Sequence, residues 1–218
     1  MSTSTITVGG GTATLVSTPS VMTSKMVEFS VFDQVSVVSS PFNGVTYTRS
    51  YPGAESWSLT VTLPPLSVTH SDIWTSALME MRGRQNAMLL SDPLRLQPRG
   101  SAAGAPVANT AGGTGWNAIG TTTLYTRGWK ASQFRCLLPG TNLQIGYRLY
   151  RVLSQVDTDV NGDASISIWP SLREVPADGQ AIILSQPAGL FRLSNNLRKW
   201  STSIGLLSTV SFDLIEYR

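Results

Sequence analysis

Cysteine, histidine and charge are what this chain has least of. Cys136 is the single cysteine in 218 residues, so neither an intrachain disulfide nor a cysteine-rich metal site can be built. His70 is likewise the single histidine, and every His-based triad or multi-histidine metal site must use it or be abandoned. A thiol dyad would need His70 to meet Cys136, and no spacing brings them together. Charged residues make up 13% of the chain, against about a quarter in an ordinary globular sequence. Such a lightly charged surface suits a protein that lives in contact with other protein.

Other absences narrow the function further. The net charge of +3 comes without any run of Lys/Arg interleaved with aromatics, which argues against a dedicated nucleic-acid groove. Arg148, Arg151, Arg173 and Arg192 read as solvated strand faces. No apolar run is long enough to span a bilayer, and MSTSTITVGGGTATL lacks the basic and apolar regions of a signal peptide. These features predict a soluble chain made in the cytoplasm and not exported by the general secretory route. There is no P-loop, dinucleotide fingerprint or nucleophile elbow, and no spacing singles out a carboxylate pair among Glu55, Glu80, Asp157 and Glu174. The expectation is a protein without catalytic residues or cofactor.

What is present is strand alternation and turn chemistry. Residues 1–23 are rich in Ser, Thr and Gly and read as a flexible arm, with an edge strand over Thr12 to Val16 as the alternative. Val27, Phe29 and Val31 then alternate with polar residues, followed by Val35 and Val37. After the turn at Ser39 to Gly44, Val45, Tyr47, Arg49 and Tyr51 alternate in their turn. The cleanest strand carries Trp57, Leu59, Val61 and Leu63 on one face and is stopped by Pro64-Pro65. Together these predict an antiparallel meander with one buried face. A single amphipathic helix follows, capped by Ser71 with Asp72 in its first turn, and Ile73, Trp74, Ala77, Leu78 and Met81 face the sheet. A strand over Asn86 to Leu90 returns the chain to it.

Residues 96–116 are dominated by Gly, Ala, Pro, Thr and Ser and read as a linker or long loop. Beyond them, residues 117–196 read as a small inserted β-barrel or sandwich. In it Arg148 to Val156 folds back on Ala164 to Trp169 through a type I′ turn at Asn161-Gly162. A strand from Gly189 to Leu193 closes that unit. The segment from Trp200 to Arg218 returns to the first sheet. The predicted class is therefore mainly β: a β-sandwich-like outer domain, residues 1–95 and 197–218, with one helix and an inserted β domain.

Two features invite a ligand. Asp157-Thr158-Asp159-Val160-Asn161-Gly162-Asp163 matches the opening half of an EF-hand loop, but Ile168 stands where the bidentate Glu belongs and the flanks are strands. The run reads as a polar hairpin tip, with Asp157, Asp159 and Asp163 as the candidate cation ligands. Six tryptophans raise the prospect of sugar stacking. Trp57 and Trp74 fall on core-facing positions, which leaves Trp129 and Trp169 as candidate carbohydrate or partner contacts.

The order of parts, and above all GRQNAMLLSDP at Gly83 to Pro93 and GDASISIWPSLREVPADG at Gly162 to Gly179, resembles the distal tail protein family, the tail-tip ring proteins of long-tailed bacteriophages. The resemblance touches most of residues 24–218. It implies a structural virion component at the tail tip, assembled in the host cytoplasm. Its outer domain would form a homo-hexameric ring between the tail-tube protein and the tail hub or other tail-tip proteins, and the inserted β domain would point outward. It implies no active site. The alternative is a carbohydrate-binding receptor module using Trp129 and Trp169.

Overall fold

The computed structural model describes residues 3–9, 11–20, 26–111, 117–203 and 207–218. The chain is mainly β, with one helix among the described residues. Strands β1 (Thr3–Val8) and β2 (Gly11–Val16) form a hairpin, and β3 (Met26–Phe32) follows. Next come β4 (Val35–Ser39) and β5 (Thr46–Ser50), then β6 (Ser56–Thr62), helix α1 (Val68–Glu80) and β7 (Ala87–Ser91). The middle of the chain holds β8 (Gly104–Ala108), β9 (Thr123–Trp129), β10 (Asn142–Ile145), β11 (Arg148–Val152), β12 (Ala164–Trp169) and β13 (Ile182–Ile183). The last strands are β14 (Ala188–Leu193), β15 (Trp200–Thr202) and β16 (Ser208–Glu216).

The outer sheet runs β1-β2-β7-β14-β16-β6-β3, with β15 added to β16. Its organising strand is β6, where Trp57, Leu59 and Val61 are buried and the residues between them are not. That is the period-2 signature of a sheet with one face on a core. On one side β6 pairs with β3, on the other with β16, where Ser208, Val210, Phe212, Leu214 and Glu216 point inward in strict alternation. Helix α1 closes the core. Trp74, Ala77, Leu78 and the following Met81 are buried as the spacing predicts, and the Trp74 ring lies 6.0 Å from that of Phe212.

The helix begins about one turn earlier than its sequence suggests. Ser67 is its N-cap, without a side-chain cap bond, while the expected cap Ser71 is buried inside the helix, with its N–H donating to the Ser67 carbonyl at 2.9 Å. The reason lies upstream. Leu66 is held in an antiparallel bridge to Ser208, which fixes where extended chain ends and helix starts.

Four expectations are corrected by the strand pairing. The amino-terminal segment is not a loose arm over its described part: β2 lies parallel to β7 and buries Val16 in the main core; residues 1–2, 10 and 21–23 of that reading lie outside the described residues. The meander has a gap, because β3 pairs directly with β6 while β4 and β5 leave the sheet as a separate two-stranded ribbon. The Gly/Ala-rich linker contains a strand, β8, paired with β9; its residues 112–116 lie outside the described residues. Finally, β14 does not close the inserted unit. It pairs with β7 and β16, between them in the outer sheet.

The inserted unit is thus the six-stranded sheet β13-β10-β11-β12-β9-β8. Its two ends meet through an antiparallel bridge between Val107 and Ala181 and a hydrogen bond from Ala108 N to the Gln180 carbonyl, 2.8 Å. Closure of this kind removes the open edges a six-stranded sheet would otherwise present. Its core gathers Leu124, Trp129, Cys136, Leu143, Tyr150 and Ile166, separate from the core beneath α1. The hairpin between β11 and β12 forms as predicted, with Val152 opposite Ile168. Its tip does not use a type I′ turn: Gly162 has positive φ but Asn161 does not. The Gly162 N–H donates to the Asp159 carbonyl at 3.2 Å, and Asp159 N–H to the Asp163 carbonyl at 3.0 Å. This is a three-residue loop with glycine at the left-handed position.

Candidate functional site

The joint between barrel and outer sheet holds a cluster of charge that the sequence conceals. From the outer sheet come Glu216, last residue of β16, and Glu55, which enters β6 from the turn at Pro52-Gly53. From the barrel come Arg148 at the start of β11 and Ser171-Leu172-Arg173-Glu174 after β12. Arg173 Nη2 lies 3.2 Å from Glu216 Oε2 and Arg173 Nη1 3.8 Å from Glu55 Oε2, with the Arg173 and Glu216 side chains 7% and 5% exposed. Arg173 Nη1 also donates to the Gly53 carbonyl. Arg148 donates through Nε and Nη2 to Glu174 Oε1, at 3.1 and 2.6 Å, and through Nη1 to the Tyr217 carbonyl. Its Nη1 lies 4.0 Å from Glu216 Oε1.

Each buried charge therefore has an opposite partner and further hydrogen bonds, the condition under which burying an ion is tolerated. Ser171, fully buried, donates to Glu55 Oε2 at 2.7 Å and accepts from Gly53 N–H at 2.8 Å. Burial would raise the Glu55 pKa, but the hydrogen bonds from Ser171 and Gly53, with the charge of Arg173, more than offset it and hold the group below its ordinary 4.5. Burial pushes the Tyr150 phenol up to about 12, so it stays neutral beside the arginines.

Aromatic packing seals the same joint. Trp57 of β6 sits edge-on between Phe29, 5.8 Å away, and Trp169 of β12, 4.6 Å away. Trp57 Nε1 donates to the Leu149 carbonyl at 3.0 Å and Trp169 Nε1 to Asp33 at 2.8 Å. Edge-to-face pairs of this kind contribute about 0.5–1.5 kcal/mol each beyond area burial. The arrangement fixes the orientation of barrel to sheet.

The sequence-derived candidates fare unequally. Trp129 is 5% exposed, packs in the barrel core and donates its indole N–H to Thr126 Oγ1 at 2.8 Å, so it offers no stacking platform. Trp169 is half-buried in the joint. Asp159 spends Oδ1 on the N–H groups of Asn161 and Asp163, both 2.8 Å, and Asp157 accepts from Arg135 N–H at 2.7 Å. The Asp159 bonds are those of a hairpin tip folding on itself, and the Asp157 bond ties the hairpin to the connection between β9 and β10. Among the described residues no group of three or more His, Cys, Asp and Glu could hold a metal ion. Cys136 is buried in the barrel core, where desolvation raises its pKa, while His70 lies on α1 over the other core.

Sequence reasoning missed the joint by assigning Arg148 and Arg173 to solvated faces. One signal was there to be read: Glu216 continues the inward phase of Val210, Phe212 and Leu214, and a carboxylate in an apolar phase needs a buried cation.

A second feature begins beside the joint, between Asp33 and the turn at Pro52-Gly53. Among the described residues the β4–β5 ribbon pairs with no other strand and exposes Val35, Val37, Val38, Val45 and Tyr47, with Phe42 at its tip 97% exposed. A two-stranded hairpin is marginal by itself in water, and this one carries apolar residues on both faces: Val38 opposite Tyr47, and Val37 opposite Thr48. Comparison with protein-family models returns no match for this chain, and comparison with curated proteins returns none.

Proposed function

We propose that this chain is a structural component of a phage tail tip, forming a ring that joins the tail tube to the distal host-recognition parts. The observation that carries the reading is the unpartnered β4–β5 ribbon: a lightly charged protein that leaves this much apolar strand in water is built to be covered by another protein. The two segments that resemble distal tail proteins occupy consequential places. Gly83 to Pro93 runs from the end of α1 through β7, and Gly162 to Gly179 supplies β12, Trp169, Ser171 and Arg173 at the joint. A barrel held this firmly suits a projection that transmits load. Six subunits, the tail-tube and tail-hub partners and the virion location rest on the resemblance. Of the two platforms that the carbohydrate-binding alternative would use, Trp129 lies in the barrel core and Trp169 is half-buried with its indole N–H donated to Asp33.

The test is light scattering after size exclusion, and negative-stain microscopy, on the full chain alone and with the tail-tube protein encoded beside it. Six-subunit rings, alone or on the tube end, are the expected result. A chain that stays monomeric in both settings sinks the proposal.

A further inference from the structure

We infer that the β4–β5 ribbon of one copy docks into a groove at the opposite end of β6 on the next copy, a head-to-tail contact between two different surfaces of the same chain. The groove lies where β15, β16 and the end of β6 meet, is lined by Thr62, Leu63, Trp200 and Val210 together with the cations Arg198 and Lys199, reaches Thr209, and has a volume of about 740 Å³. Trp200 stands half-exposed at its wall.

Position decides the occupant. The ribbon leaves the sheet between Phe32 and Ser56, which are paired at one end of the β3–β6 ladder, whereas Met26 and Thr62 are paired at the other. Six residue steps at about 3.3 Å each put the two ends roughly 20 Å apart, and Phe42 at the ribbon's tip is 97% exposed. A chain does not fill its own groove with its own tip. A second copy can, and because donor and acceptor surfaces differ, every copy keeps one of each free for the next; such contacts give a ring where the rotation closes and a filament where it does not.

Area supports the same occupant. Val35, Val37, Val38, Phe42, Val45 and Tyr47, each 44–97% exposed, present on the order of 700 Å² over the two faces of the ribbon, close to the roughly 800 Å² that each partner gives to a standard interface. Arg49 is the one charged residue in β4 and β5 and is drawn over the Tyr51 ring, 5.3 Å from its centroid. Little charge must therefore be desolvated on the ribbon's side, and on the groove's side Arg198 already donates to the Leu78 and Met79 carbonyls while Lys199 is exposed. Phe42, at the tip, is the residue placed to enter the groove first.

The contact rests on the ring reading only in taking a second copy as the occupant, and one experiment separates the two. Phe42→Cys and Thr209→Cys are made singly and together in the full chain. Cys136 is buried and stays out of the reaction, Phe42 is in open solvent, and Thr209 loses only a surface hydrogen bond to Ser201, 2.6 Å. A disulfide needs Cα atoms within about 7 Å, so mild oxidation reports the contact directly. The expected result is a disulfide dimer from the mixed single variants, little from either alone, and a ladder from the double variant. Phe42→Cys linking to itself as readily as to Thr209→Cys would mean ribbon against ribbon and would overturn the groove. The absence of any link at the highest soluble concentration, with the tube protein present, would overturn the contact itself. Rings in micrographs without the link leave the ring reading standing and this contact refuted; a ladder of open filaments that ignores the tube does the reverse.

Discussion

Arg173 and Glu216, 43 residues apart in sequence, face each other at 3.2 Å with both side chains less than a tenth exposed. Breaking such a pair by removing one partner typically costs about 3–5 kcal/mol, because the other charge stays buried and unpaired. Glu216→Ala leaves both Arg173 and Arg148 short of a partner, and Arg173→Ala leaves Glu216 and Glu55. Each single change is expected to lower stability by about that amount in urea unfolding, whereas Arg173→Ala with Glu216→Ala is expected to cost less than the two single changes added. Additive losses in that double-mutant cycle would show that the two side chains do not act as a pair.

Glu55 gives this joint an acid limit. Its folded-state pKa lies below the ordinary 4.5, so the unfolded chain takes up the proton first. The stabilisation is complete above the unfolded value and is lost as pH falls through the folded one. Melting temperature should therefore fall on the acid side of about pH 4.5 through this group, and Glu55→Gln, less stable near neutrality, should show a shallower decline there. An acid slope in Glu55→Gln as steep as in the parent protein would remove Glu55 from the account.

The parts that could be read from sequence are those where one local rule decides. Trp57, Leu59 and Val61 alternate because β6 has one face in the core; Trp74, Ala77 and Leu78 recur at helical spacing because α1 lies on that core. What could not be read depends on partners far along the chain. The Gly/Ala-rich stretch hides β8 because its strand is selected by backbone fit: a Cβ on Gly104 would come within 2.5 Å of the Gly128 carbonyl oxygen, a closeness only glycine permits. The apolar run in β14 announces a strand but not a sheet, and its pairing with β7 and β16 is settled by residues a hundred positions back or twenty ahead. Arg148 and Arg173 look like any strand arginine until Glu216 is placed beside them.

At the hairpin tip, the three aspartates should separate by role. Asp159→Ala removes the acceptor of two backbone N–H groups and Asp157→Ala the acceptor of Arg135 N–H. These hydrogen bonds are exposed, so water can take the place of each lost acceptor; each change is expected to lower the melting temperature modestly, with Asp163→Ala costing less. Calcium should raise the melting temperature of none of them, nor of the parent protein. A calcium-dependent rise in the parent, lost in these variants, would restore the cation site, since a ligand that binds only the folded state must stabilise it.

The sharpest prediction concerns removal of the barrel. Ser91 of β7 and Ala188 of β14 are paired neighbours, so replacing residues 92–187 by Asn-Gly joins two strands already hydrogen-bonded with a two-residue turn. The shortened chain loses Leu149 and Trp169 from the surface of Trp57, and its tryptophan emission should shift to the red as that ring is wetted. It also loses Arg148 and Arg173, leaving Glu55 and Glu216 near each other with Arg218, which donates to the Ala54 and Glu55 carbonyls, as the nearby cation from the outer part. The effect of Glu216→Gln should therefore change sign. In the full chain it removes one member of a buried network and destabilises; in the shortened chain it relieves repulsion between two carboxylates and stabilises. Urea unfolding of four proteins, each chain with and without Glu216→Gln, reads both signs, and a substitution that destabilises the shortened chain as much as the full one would show that the Glu216 carboxylate is held by the outer sheet and not by the barrel's arginines.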